Sequence, residues 1–533
     1  MSEERGKLGG SGSMLLSGYG PLLVLIAIFA LITTLTPTVA PERIESVQSG
    51  GRDPGSVALG GPEKGPGGGS SVVPGQPASG GQAVDQCADR DKQVPGDGYS
   101  PPCISFSGDN GGKTSRGVTD KEVVIAYRLT TDPSLQDALA SVGGGDALDS
   151  SEAIERTAFG LVEYFNARFQ LYGRKIKLVP FQGRGALTTE LLGGGQDAAN
   201  NDAIKVSKEL APFADISALS QPYSDALARQ KVMAFNAPYM SREWYTARRP
   251  YTWSLTPDCT LLTGLIADYA NKRIFGRPAA YAGGDLQGQA RRIAVISPDN
   301  PEYQQCVDSG VDIVRSEGNS YAMRESYTLD IASLSSQAAS LVAKMRSQDI
   351  TSVACVCDPI LPIFMTAKAH EQTWFPEWFV TGTALTDVDV LGQLYDQEEW
   401  SHAFGISALG ELEPLRGSFA YQAYKSIRKD EPALIVDILY YTIYMLALGI
   451  HMAGPNLTPE TFEKGMFAYP GGQGIAGRWK FGPGDYTPME DAREIWWDPE
   501  ARSVQNGEPG AYRGDKRRYK VGEWTREAPN VFK

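Results

Sequence analysis

From about Gly117 onward, short apolar runs alternate with amphipathic segments, and this alternation limits the chain to few architectures. Glu122-Val-Val-Ile-Ala-Tyr127 has the composition of a strand. After Asp149-Ser-Ser-Glu152, a capping-box-like start, Ile154, Ala158, Leu161, Val162, Phe165 and Phe169 recur at helical spacing. Lys175–Phe181 is a second strand, followed by strands at Asp215–Leu219, Val232–Phe235, Arg292–Ile296, Ser352–Cys357, Glu377–Thr381 and Ala403–Ser407. Helices are expected from about Thr260 to Lys272 and through Cys306. Strand and helix in alternation predict parallel sheets covered by helices on both faces. The 416 residues from 118 to 533 exceed the ~250–300 that one core supports, so two α/β lobes are expected.

Leu434 to Ala453 is almost wholly apolar, interrupted by Asp437, Thr442 and His451. Asp437 near its start, three tyrosines and the α/β setting favour a buried core helix over a membrane span. His451 reads as a packing or capping residue. Thr458-Pro459-Glu460 opens another helix, with Thr as cap and Pro in the first turn.

Upstream, Met14 to Ala40 carries no charge and centres on Leu22–Ile32. A spanning helix needs ~20 apolar residues, which this stretch just supplies; a cleaved signal peptide is the alternative. Pro41 directly after Thr38-Val39-Ala40 disfavours cleavage there, and no Cys follows to accept a lipid. Residues 1–13 would then be a short cytoplasmic N-terminus, and both alternatives export everything downstream. From Gln48 to Gln82, 17 of 35 residues are Gly or Pro, too little apolar surface to offset the entropy of ordering. Residues 41–117 are accordingly expected to be a flexible linker, the Gly-rich part spanning roughly 30 Å.

The net charge of −13 argues against a broad nucleic-acid surface, which needs clustered Lys and Arg. His370, His402 and His451, the three histidines, fall in no metal-ligand spacing, so no metal or cofactor is expected. No nucleophile elbow or paired catalytic set appears, so no catalytic residue is assigned and an enzyme is not expected. Six cysteines in an exported chain favour disulfides. Cys87 and Cys103, isolated in a short Pro/Gly segment, are expected to pair. Cys259, Cys306, Cys355 and Cys357 allow three connectivities, and the apolar setting of Cys355-Val-Cys357 makes it structural rather than a metal or redox site.

Several segments taken together resemble one family. Gly117-Val-Thr-Asp-Lys-Glu-Val-Val-Ile125 resembles the opening strand of type I periplasmic binding proteins, the leucine/isoleucine/valine-binding-like solute receptors of ABC importers. Asn166-Ala167 followed by Gly173–Leu178 resembles the link from first helix to second strand. Ser220-Gln-Pro-Tyr-Ser-Asp225 is similar to the ligand loop, and Tyr269 to Ile296, with Pro278–Gly283 inside it, is similar to the group's pattern. The resemblance spans about 118 to 500. It implies two Rossmann-like lobes with a hinge and an interlobe cleft, joined by three crossing segments. Lobe one would comprise 118–252 and 404–466, and lobe two 253–403 and 467–533.

In open α/β sheets, ligands bind beyond the carboxyl ends of the strands. The candidate ligand residues just past those ends are Thr131, Asp132, Ser220, Gln221, Asn236 and Tyr239, then Ser241, Tyr303, Asp358 and Thr383. Tyr303 matches the position where the resemblance implies a ligand-stacking tyrosine. Amino-acid-binding members usually carry an acidic residue after the strand matched by Glu377–Thr381. Here the sequence is Thr381-Gly-Thr-Ala-Leu385, with Asp387 or Asp358 as the available substitute. The function implied is capture of a small polar metabolite, an amino acid or a related amide or carboxylate, by hinge closure outside the cell. Delivery would be to the permease subunits of an ABC importer, with the N-terminal helix holding the protein at the membrane. A membrane-anchored sensing ectodomain of the same fold is the alternative.

Overall fold

The computed structural model describes residues 82–83, 87, 89–130, 150–191 and 193–533. The expected cytoplasmic N-terminus, the apolar segment 14–40 and most of the Gly/Pro-rich linker lie outside the described residues.

Ten strands, eight of them at or near the expected runs, alternate with the helices. Lobe one holds β1 (Glu122–Leu129), β2 (Lys175–Gln182), β3 (Ala214–Asp215), β4 (Met233–Phe235) and β5 (Thr252–Trp253). They pair in the order β2-β1-β3-β4-β5, all parallel. Lobe two holds β6 (Ile293–Pro298), β7 (Met323–Tyr327), β8 (Ser352–Cys355), β9 (Glu377–Val380) and β10 (Ala403–Ser407). Burial tracks position in each sheet. The central strands β6, β8 and β10 are buried throughout, whereas the edge strand β2 alternates, with Lys175 and Lys177 exposed and Ile176 and Leu178 inward.

Several helices start at a capping side chain. Ser150 Oγ accepts from Ala153 N at the head of α1 (Ser151–Arg168). Then come α2 (Gln221–Arg229), α3 (Cys259–Tyr269, capped by Asp258), α4 (Pro301–Ser316, capped by Asn300), α5 (Ile331–Ser347) and α6 (Leu361–Glu371). The apolar stretch near 440 is α7 (Val436–Ala453), long and apolar enough to cross a membrane but buried in the lobe-one core. α8 (Pro459–Ala468) opens with a capping box on Thr458 and Thr461. His451 packs: its ring nitrogens lie 3.0 Å from Gln170 O and 2.8 Å from Pro102 O.

After α8 come the short antiparallel pair β11 (Gly472–Gly474) and β12 (Gly477–Trp479), then the long hairpin β13 (Ala492–Arg502) and β14 (Pro509–Tyr519). The hairpin extends the lobe-two sheet antiparallel from β10, giving β14-β13-β10-β9-β8-β6-β7. Two inferred boundaries therefore differ from the structure. β10 belongs to the lobe-two sheet, so the chain returns to lobe one after Ser407 and not at 403. Trp479, Phe481, Tyr486 and Met489 still pack in the lobe-one core, so the last crossing lies near 490 and not at 466.

The linker also ends earlier than expected. Residues 89–117 are folded against lobe one, and the Cys87–Cys103 disulfide closes their loop. Tyr99 stacks on Trp479 with centroids 4.5 Å apart, and Tyr469 Oη donates to Tyr99 O at 2.7 Å. The buried Asn110 side chain donates to Asp120 O and Tyr172 O, both at 2.8 Å. A cross-link, one large aromatic and satisfied backbone groups order a segment whose Pro and Gly content alone argues for flexibility. The other disulfides join Cys259 to Cys306 and Cys355 to Cys357.

Candidate functional site

The carboxyl ends of both sheets open on one cleft of about 2230 Å³. Lobe one contributes Leu129 and Thr130 at the end of β1, Ser217 and Leu219 after β3, and Asn236 and Tyr239 after β4. Lobe two contributes Pro298 at the end of β6 and Tyr303 beyond it, Cys357 and Asp358 after β8, and Thr383 after β9. The Cys259–Cys306 disulfide lies in the wall and joins the start of α3 to α4.

Five of the ten candidate residues line this cleft. Asn236 takes a left-handed backbone (φ 82°) and its amide bridges outward: Nδ2 donates to Thr442 Oγ1 at 3.0 Å, tying the end of β4 to α7. Tyr239, also left-handed (φ 57°), is buried, and burial holds its hydroxyl firmly protonated. Tyr303 stands in the first turn of α4, its pKa raised to about 12 by burial. Thr383 Oγ1 lies 3.1 Å from Thr381 Oγ1. Asp358 is engaged by the fold: Oδ1 accepts from Ile360 N at 2.7 Å and Leu361 N at 3.2 Å at the head of α6, and Oδ2 accepts from the Tyr327 hydroxyl. Burial raises its pKa against these hydrogen bonds.

Three candidates lie elsewhere, and two fall outside the described residues. Ser220 is buried and donates to Glu190. Gln221 lines a separate small cavity of about 30 Å³. Ser241 caps the short helix Arg242–Ala247, accepting from Trp244 N at 3.0 Å. Ser220 and Ser241 follow strand ends in sequence, but the fold spends the one on a core bond and the other on a helix cap. Thr131 and Asp132 are outside the described residues. Asp387, the other substitute acid, is buried and bonded to Ser407 Oγ behind the cleft wall.

Behind the end of β1 lies a buried charge network that the sequence did not suggest. Arg128 Nη2 is 2.7 Å from Glu190 Oε2, Nη1 is 3.3 Å from Asp202 Oδ2, and the guanidinium sits 3.7 Å from the Tyr223 ring centroid. Asp202 also accepts from Arg184 N and Gly185 N, each at 2.8 Å. Asp215, wholly buried beside them, accepts from Ser217 and Tyr223 hydroxyls at 2.6 and 2.7 Å; burial raises its pKa. The network fixes the loop that carries Ser217 to the cleft edge.

The rest of the lining was also missed. The folded N-terminal segment supplies Asp97 and Tyr99, α7 supplies Tyr441, and β12 supplies Trp479. Leu219, Val390, Phe419, Leu434 and Ile438 are each more than a third exposed and all face the cleft. Among the described lining residues the only basic side chain is Arg128, against eight carboxylates.

No protein-family model and no curated protein matches the sequence. Solved structures do match. A solute-binding protein of an ABC transporter from Rhodopseudomonas palustris BisB5, in complex with 3,4-dihydroxybenzoic acid, superposes with a TM-score of 0.52 at 12% identity, over 75% of this chain and 98% of that one. A leucine-binding protein from Thermotoga maritima matches with a TM-score of 0.52 at 13% identity, over 75% and 100%. A further R. palustris solute-binding protein, in complex with 4-hydroxybenzoate, reaches 0.54 at 11% identity, over 75% and 98%. The chain thus has the two-lobed α/β fold of the type I periplasmic binding proteins, the group its sequence resembles.

Proposed function

We propose that this protein is an extracytoplasmic solute-binding protein that captures a small molecule between its lobes and presents it to the permease of an ABC importer. The supporting observation is the cleft: the parallel strands of both sheets aim their carboxyl ends at one another, and side chains from both lobes line the space between. Its volume of about 2230 Å³ exceeds the ~300–1,000 Å³ of a closed ligand pocket, as an open state should before hinge closure. Three disulfides suit an oxidising compartment. In this reading the segment 14–40 anchors or exports the chain, and the linker lets the lobes turn towards the permease. The lobes do binding work and no covalent chemistry. A thermal-shift screen of the full chain against amino acids, amides and carboxylates tests the reading. At least one solute must raise the midpoint in a concentration-dependent way, and the loaded form must retain a permease subunit in co-purification. Failure of every solute together with absence of any permease contact ends it.

A further inference from the structure

The lobe-one wall contains a corner made by the folded N-terminal segment. Asp97 Oδ1 accepts from Tyr99 N at 2.8 Å, but Oδ2 has no hydrogen-bond partner in the protein although Asp97 is only 8% exposed. The buried hydroxyls of Tyr440 and Tyr444 turn towards this carboxyl without closing a well-formed hydrogen bond, and the buried indole N–H of Trp479 lacks a partner. Burial raises the Asp97 pKa, while the Tyr99 N–H, the nearby Tyr444 hydroxyl, the Lys92 charge and the Tyr440 hydroxyl pull it back. Around the carboxyl stand aromatic rings: Tyr99 on Trp479 at 4.5 Å, Tyr441 against Trp479 at 5.4 Å, Tyr99 against Tyr441 at 6.0 Å. Asp437 and Glu413 lie close enough to Tyr441 to raise its pKa further.

The described lining residues carry mostly negative charge and much apolar surface. Arg128, the only basic side chain among the described lining residues, is already bonded to Glu190 and Asp202. Leu434 and Ile438 on α7's side are 47% and 46% exposed, with Phe419 beside them at 38%. Among the described lining residues a ligand carboxylate would meet no unengaged cation, whereas a cation would find a desolvated carboxylate and ring faces.

We propose that the cleft takes an amphiphilic cation, its ammonium or alkylated ammonium head seated at Asp97 among Tyr99, Tyr441 and Trp479 and its apolar body laid along Phe419, Leu434 and Ile438. This rests on the solute-binding reading above and names the class of solute. The test is calorimetric titration of the full chain in zwitterionic nanodiscs, with empty discs as blank, against phenethyltrimethylammonium, 4-phenylbutyrate and 4-phenylbutanol. The cation must bind at least tenfold tighter than the other two. Asp97→Asn must weaken it at least tenfold while leaving the alcohol within twofold. If Asp97→Asn does not fold by circular dichroism, Asp437→Asn at the half-buried neighbouring position must weaken the cation at least threefold. Equal or tighter binding of the anion or alcohol overturns the proposal, as does cation affinity unchanged in a folded Asp97→Asn, or in Asp437→Asn where that variant is the test. If none of the three binds while an amino acid, amide or carboxylate does, this proposal falls and the solute-binding reading stands. If no solute of any class binds, that reading falls first.

Discussion

Replacing Arg128 by Leu should be among the most damaging single changes away from the cleft lining of lobe two. The side chains of Arg128, Glu190 and Asp202 are 1%, 0% and 1% exposed, so solvent cannot take over the lost interactions. Asp202 keeps its bonds from Arg184 N and Gly185 N, but Glu190 keeps only the Ser220 hydroxyl. Stranding one buried charge costs about 3–5 kcal/mol. For a cooperative unit the size of a lobe, each kcal/mol moves the melting midpoint about 2–4 °C, so a fall of roughly 6–20 °C follows. The double variant Arg128→Leu/Glu190→Leu should recover most of it, because both charges leave together. Differential scanning calorimetry of the three proteins is the assay. A single-variant loss under 2 °C, or a double variant as unstable as the single one, refutes the reasoning.

Three further outcomes follow from other parts of the molecule. Replacing Cys259 and Cys306 by Ser opens a loop with a sequence separation of 47 and should cost about 4 kcal/mol, whereas opening Cys355–Cys357, with a separation of 2, should cost about 1 kcal/mol; denaturant melts compare them. Glu399 is wholly buried against Trp378, and burial raises its pKa from 4.5 to about 9. A folded pKa above the unfolded one gives stability that is full below pH 4.5 and lost as pH rises towards 9, so Glu399→Gln should exceed wild type by about 3 kcal/mol at pH 7 and match it near pH 4.5 in parallel melts. A Cβ on Gly98 would lie 1.9 Å from Gln473 O, so Gly98→Ala should lift the N-terminal segment off β11 and expose 87–117 to limited proteolysis.

The alternation of apolar runs and amphipathic segments made the parallel sheets legible, because strands buried on both faces must be apolar throughout. The caps at Ser150 and Thr458 and the core helix Val436–Ala453 were legible for the same local reasons. The hairpin Ala492–Tyr519 was not, since a strand added to a sheet edge is specified by its partner. Nor was the folded segment before Gly117: its order comes from a disulfide and from Trp479, far along the chain. At the site, residues past strand ends were easy to find, and Asn236, Tyr239, Tyr303, Asp358 and Thr383 do face the cleft. Position along the chain does not say which of them the fold consumes, as Asp358 is by α6. Asp97 carried no local signal, because only tertiary packing brings it to Tyr441.

Hinge closure on a bound solute is the central claim, and an interlobe distance measures it most directly. Nitroxides placed at exposed Lys429 and Arg346, by chemistry that spares the disulfides, report one position on each lobe in the full chain. Pulsed dipolar spectroscopy should show the distance distribution shift and narrow when a saturating solute is added. A distribution unchanged by a solute that calorimetry shows to be bound would contradict closure.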